Sequence, residues 1–161
     1  MLALAIFANA LPRIRRRNIM HRVTTAAFAA AFLCLLSLAA QAAPLIAKVD
    51  ISRQTMTVIY HGQVTYEWPV STARSGKYTP RGSWSAKWLS RHHKSSLYNN
   101  APMPYSIFFN GNYAIHGTNQ VSRLGQPASA GCVRLHPEHA AVLFSLTQQV
   151  GKQNMQVVIQ N

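Results

Sequence analysis

The chain has 161 residues and carries 16 Lys and Arg against three Asp and Glu, a formal charge of +13 with His neutral. That length reads as one domain with enough chain to bury a modest core. Beyond residue 22 the cations are scattered, with no Lys/Arg run, which argues against nucleic acid and leaves an anionic polymer or surface as the expected partner, although any one of these cations also serves solubility.

Arg13, Arg15, Arg16, Arg17 and Arg22 form a basic cluster, and residues 23 to 40 contain no charge. Ala40-Gln41-Ala42 then gives the small-x-small pattern of a signal peptidase site, so residues 1–42 read as a secretory signal and residues 43–161 as the exported domain. Met20 is an alternative start. The apolar run is nearly long enough to span a bilayer, but Thr24, Thr25, Ser37 and the Ala-x-Ala site weigh against an uncleaved anchor. Leu33 before Cys34 weighs against lipid attachment. The expected consequence is export, with membrane contact only through the signal before its cleavage. Removing 42 of the 161 residues leaves 119, with eleven cations against three acids, a charge of +8. Cys132 is then the sole thiol, to be flagged as reactive or unpaired.

Residues 45–51 form a short mixed run and 55–60 a run dense in β-branched side chains. His61-Gly62 turns the chain into 64–70, so 55–60 and 64–70 are expected to pair as a hairpin. Pro69 places the end of that strand at an edge or bulge. Residues 71–82 hold two Gly and a Thr-Pro, a loop whose expected role is local geometry and not chemistry. Residues 83–89 resume extended character, and 90–100 read as a polar surface excursion. Residues 105–110, the turn Gly111-Asn112 and residues 113–116 read as strand, turn, strand, with His116 at the end. A helix starts at Pro137, has Glu138 in its first turn and stops at Gly151, with Ala141, Leu143, Phe144, Leu146 and Val150 on its apolar face. Residues 155–160 supply a last strand. The expected fold is mainly β, a single domain with one principal helix.

A thiol is a useful nucleophile only as the thiolate, and it needs a neighbouring base or cation to reach that form. His116 is the candidate, since the loop 117–130 can fold back to bring Cys132 beside it. Gly131 leaves the backbone next to the sulfur open to substrate and lets main-chain N–H groups face an oxyanion. Ser129 is placed to hold that turn through its own backbone. Arg134, two positions beyond Cys132, falls on the same side of an extended chain, where it can grip a carboxylate. Tyr105 is a candidate substrate contact, although Tyr105, Phe108 and Trp84 read first as core. His92, His93, His136 and His139 lack a Cys or acid cluster to complete a metal site and read as solvated or helix-capping.

HGT followed by SAGCVRL resembles the signature of the L,D-transpeptidase catalytic domain, or YkuD domain: a His, a variable loop, Ser/Thr-His-Gly-Cys, and then Asn or Arg. VSTARSGKYTPRGSW and MPYSIFFNGNYAIHG extend the resemblance over most of residues 45–147. The order His before Cys argues against papain-like and NlpC-type peptidases. The resemblance implies a YkuD-like β-sandwich, Cys132 as nucleophile, His116 as its base, Gly117 orienting the imidazole through its carbonyl, and Arg134 at the motif's last polar position. It further implies attack on a peptidoglycan stem peptide to give a thioester, resolved by an amine of a second stem or of an envelope protein, with no metal, cofactor or nucleic acid. Water as acceptor would make the site an L,D-carboxypeptidase, and carbapenem-type β-lactams are expected to acylate the thiol. One position departs: the motif's second His is Ala130 here, which bears on how the loop is braced. A non-catalytic peptidoglycan-binding module of the same fold is the alternative reading.

Overall fold

The computed structural model describes residues 43–161. The expected signal segment, with Met20 and Cys34, lies outside the described residues. Nine strands and one α-helix are formed by the described residues: β1 (Leu45–Asp50), β2 (Thr55–Tyr60), β3 (Gln63–Pro69), β4 (Gly82–Ser85), β5 (Trp88–Lys94), β6 (Pro102–Asn110), β7 (Tyr113–Gly117), β8 (Val133–Leu135), α1 (Pro137–Val150) and β9 (Met155–Gln160). One sheet has the order β3-β2-β1-β9-β4 and the other β5-β6-β7-β8.

Period-two patterning builds the first sheet. Leu45, Ala47 and Val49 on β1, Met56 and Val58 on β2, and Met155, Val157 and Ile159 on β9 are all buried, so alternate residues share one inward face. They meet Ile107, Phe109, Ile115, Val133 and Leu135 of the second sheet and Ala140, Leu143 and Phe144 of α1 in one core. The fold is therefore mainly β with one helix, as expected. The β2–β3 hairpin turns on His61 and Gly62, both at positive φ (48° and 80°), as a two-residue turn matched to strand twist requires. Pro69 ends β3, the outer strand, where a missing N–H is tolerated.

Three stretches differ from expectation. The extended run at 83–89 is broken between sheets, for Ala86 N–H donates to Met155 O of the first sheet (3.2 Å) and Lys87 N–H to Phe108 O of the second (2.7 Å). Residues 90–94 belong to β5 and are not a surface excursion. An outer strand bonded to β6 draws its stability from the ladder, so its polar side chains hide it from a pattern search. β6 starts at Pro102, earlier than its two prolines suggest, because β7 pairs only with residues from Ile107 onward and the earlier part has β5 alone beside it. The helix follows its start and stop signals, with Pro137 in its first turn, the His136 ring accepting from Glu138 N–H (3.3 Å) and Gly151 at positive φ. Its buried face is Ala140, Leu143, Phe144 and Thr147; the Thr147 hydroxyl is satisfied by Leu143 O at 2.7 Å.

Candidate active site

β7 and β8 lie side by side and parallel, with His116 opposite Arg134 and Gly117 opposite Leu135. Residues 118–132 leave the end of β7, pass through one 3-10 turn at Val121–Arg123 and return the chain in the same direction. Val133 and Leu135 point into the core, so Arg134 takes the other face. Cys132 and His116 thereby line one cavity of about 460 Å³, together with Arg134, Asn112, Tyr98 and Met103.

His116 is only 6% exposed, and its Nδ1 lies 2.8 Å from Gly117 O. A carbonyl only accepts, so Nδ1 carries the proton and Nε2 keeps its lone pair. Burial lowers the imidazole's pKa to about 4; the charges of Arg134 and His93 act in the same direction, and the Gly117 bond opposes them. Burial raises the pKa of the Cys132 thiol, and the Ala114 main chain and then Arg134's charge offset only part of this. Its S–H faces Asn112 O at 3.8 Å. Both shifts favour the uncharged forms, thiol and imidazole.

The loop that presents Cys132 is braced by residues 71–82. Ser129 Oγ accepts from Gly131 N–H (2.9 Å), the local bond expected of it. Thr79 Oγ1 donates to Gly131 O (2.8 Å) and accepts from Ala73 N–H (3.0 Å). Ser71 Oγ donates to Gln126 O (2.7 Å), and Thr72 O accepts from the N–H groups of Ala128 (2.9 Å) and Ser129 (2.8 Å). Gly131 has φ 140°, and a Cβ there would stand 2.7 Å from Tyr113 Cε1 and 2.8 Å from Tyr78 O. Only glycine fits between the tyrosine ring and that carbonyl.

A model of the L,D-transpeptidase catalytic domain, YkuD, matches residues 44–159. The chain belongs to this family. It is 26% identical over 102 residues to the Bacillus subtilis protein YkuD, covering 61% of this chain and 57% of that one. An L,D-transpeptidase from Stackebrandtia nassauensis superposes with a TM-score of 0.64 at 25% identity, covering 82% of this chain and 64% of the other. L,D-transpeptidase 3 from Mycobacterium tuberculosis, solved with a faropenem-derived adduct, gives a TM-score of 0.63 at 19% identity, covering 73% and 60%. The chain thus spans less than two thirds of the length of each of these three relatives.

Within the YkuD frame, the position of Ala130 acquires a physical account. Ala130 lines the cavity, while the turn around it is held by Ser129, Thr79 and Thr72, so an imidazole is not needed there as a brace. Tyr105 is not among the residues that line the cavity. Register skips from Ser90–Ser106 to His92–Pro104, leaving Tyr105 unpaired at φ 56° with its ring 5.9 Å from Phe144 of α1 and under Arg91 at 5.5 Å. Phe108 stacks on Trp88 at 3.8 Å and Trp84 packs on Phe109 at 5.4 Å, in keeping with core roles. His136 caps α1, His139 stacks on Trp68 at 4.8 Å, and His93 meets Phe108 edge-on at 5.0 Å. Arg74, from the loop expected to serve geometry alone, also lines the cavity. Nothing local in the sequence marks it, since its place depends on a bond from its N–H to Ser129 O, 55 residues away.

Proposed function

We propose that this chain is a cysteine-dependent L,D-transpeptidase that acts on peptidoglycan stem peptides through a thioester, working in the periplasm or cell wall after export by residues 1–42. The reading is carried by one observation: Cys132 shares a cavity with a buried imidazole whose Nδ1 is tied to Gly117 O, leaving Nε2 as the base. Sγ attacks the carbonyl on the L-centre of the diamino acid at position three of the stem, and its proton passes to His116 Nε2. The tetrahedral oxyanion collapses, the C–N bond breaks, and the departing D-residue's amine takes the proton from Nε2. An amine of a second stem, or of an envelope protein, then attacks the thioester, giving a proton to Nε2 as the C–S bond breaks and Sγ recovers it. Water in place of the amine would release a tripeptide.

Starting from two neutral groups suits this cycle. A buried imidazole that stays neutral is always ready to accept the thiol proton, and ionisation is deferred until substrate is in place. Gly131 N–H is held by Ser129 Oγ and is not free for the oxyanion in this arrangement. The test is product analysis of residues 43–161 acting on defined stem tetrapeptides. A cross-linked dimer or a tripeptide is expected, and Cys132→Ala abolishes both; an undiminished rate in that variant refutes the mechanism. A carbapenem is expected to add its mass at Cys132, and a folded protein that forms no such adduct favours a binding module.

A further inference from the structure

Two guanidiniums reach the same cavity from separate segments. The loop carrying Arg74 and the strand carrying Arg134 are locked together by Ser71 N–H to Arg134 O (3.0 Å) and Arg134 N–H to Ser71 O (2.9 Å). Both side chains are tethered to neutral oxygens, Arg74 Nη1 to Ser129 O (3.2 Å) and Arg134 Nη1 to Gln120 Oε1 (2.8 Å). A guanidinium has five N–H donors, so each retains most of them. The chain's three acids offer no relief: Asp50 pairs with Arg53 at 2.9 Å, Glu67 lies on β3 and Glu138 is exposed on α1, and none lines the cavity. Burial disfavours the Arg134 cation and so does Arg74's charge, while the Cys132 sulfur acts in the opposite direction. A half-buried guanidinium and an exposed one on the same cavity, without a carboxylate of the protein beside them, call for an anion from outside.

We propose that Arg74 and Arg134 form a carboxylate clamp that makes a free carboxylate of the donor peptide the specificity handle of the site. This rests on the function proposed above. Arg134 stands two residues beyond Cys132, and both line the cavity. With the scissile carbonyl at Sγ, the carboxylate of the very next residue, the departing one, is the nearest anion of the donor peptide for the guanidiniums to take. The diamino acid's side-chain carboxylate offers the same chemistry from a second source.

The first experiment does not depend on acyl transfer. Cys132 is alkylated with iodoacetate, which carries a carboxylate, and with neutral iodoacetamide. Arg74→Gln is expected to slow iodoacetate about 3- to 10-fold, as loss of one partly screened charge contact would, while iodoacetamide changes little. Arg74→Lys is expected to keep most of the iodoacetate rate. Equal slowing of both reagents, or of neither, overturns the clamp and leaves the thioester mechanism standing. The second experiment compares stem tetrapeptides amidated at the terminal carboxylate or at the diamino acid. One amide is expected to lower kcat/KM about 10- to 100-fold, naming the source, and Arg74→Gln is expected to erase that difference. Wild-type indifference to both amides overturns the proposal.

Discussion

The centre of the first sheet and the rim of the site are held by different forces. β1, β2 and β9 interlock through alternating apolar side chains, and no single contact decides their register. The Cys132 loop instead hangs on a few directional bonds: Ser71 and Arg74 reach partners 55 residues away, and Thr79 one 52 residues away. Ser71, Thr72, Thr79 and Ser129 are all buried polar groups whose stability depends on being paired. Burying apolar area is forgiving and general; positioning a nucleophile requires bonds with direction. Substitutions in the two regions should therefore separate stability from activity.

The largest effect is expected at Gly131. Gly131→Ala forces a Cβ against Tyr113 and the Tyr78 carbonyl at a φ that L side chains rarely adopt, so Cys132 must shift. A displacement near 1 Å costs about 100-fold in rate, so kcat/KM on a stem tetrapeptide should fall at least that far. An unchanged rate would mean that the loop is looser than its contacts imply. Leu143→Ala probes the opposite region. It empties a fully buried site between α1 and the sheets and should cost about 2–5 kcal/mol in denaturant unfolding, with the folded fraction still active. Thr79→Val keeps the volume but orphans Gly131 O and Ala73 N–H, for about 1–3 kcal/mol. Although smaller in stability, it should lower kcat/KM more than Leu143→Ala does, and the reverse ranking would erase the contrast.

The same contrast explains what was legible in the sequence. The β-branched run at residues 55–60, the turn at His61-Gly62 and the helix signals at Pro137 and Gly151 are local, and each marks its element nearly to the residue. That His116 and Cys132 line one cavity agrees with the motif spacing. β8 was not, because three residues become a strand only by pairing with β7. Residues 90–94 were missed because their stability lies in main-chain bonds that composition does not display. Arg74 was missed because its position is fixed by Ser129, and the register skip that turns Tyr105 toward Phe144 leaves no mark in the sequence.

The smallest effect is a pH dependence, and its sign follows from burial. The neutral form of His116 is the base, so activity is lost as pH falls through its folded pKa of about 4. An imidazole at the ordinary value near 6.5 would be about 97% protonated at pH 5, whereas this one is about 10% protonated, so kcat/KM should change little between pH 7 and pH 5. Stability behaves differently over the same range. The unfolded chain binds a proton at this residue below about 6.5 and the folded chain only below about 4, so this residue's contribution is complete above the first value and shrinks as pH falls toward the second. Arg134→Gln sharpens the point, since it removes one of the charges that depress His116 while leaving burial, the larger cause, in place. The acid limb of kcat/KM should move upward from pH 4 but stop short of 6.5. A limb that stays at pH 4 would assign the depression to burial alone, and one that reaches 6.5 would show that β8 supplies charge where β7 was expected to supply shelter.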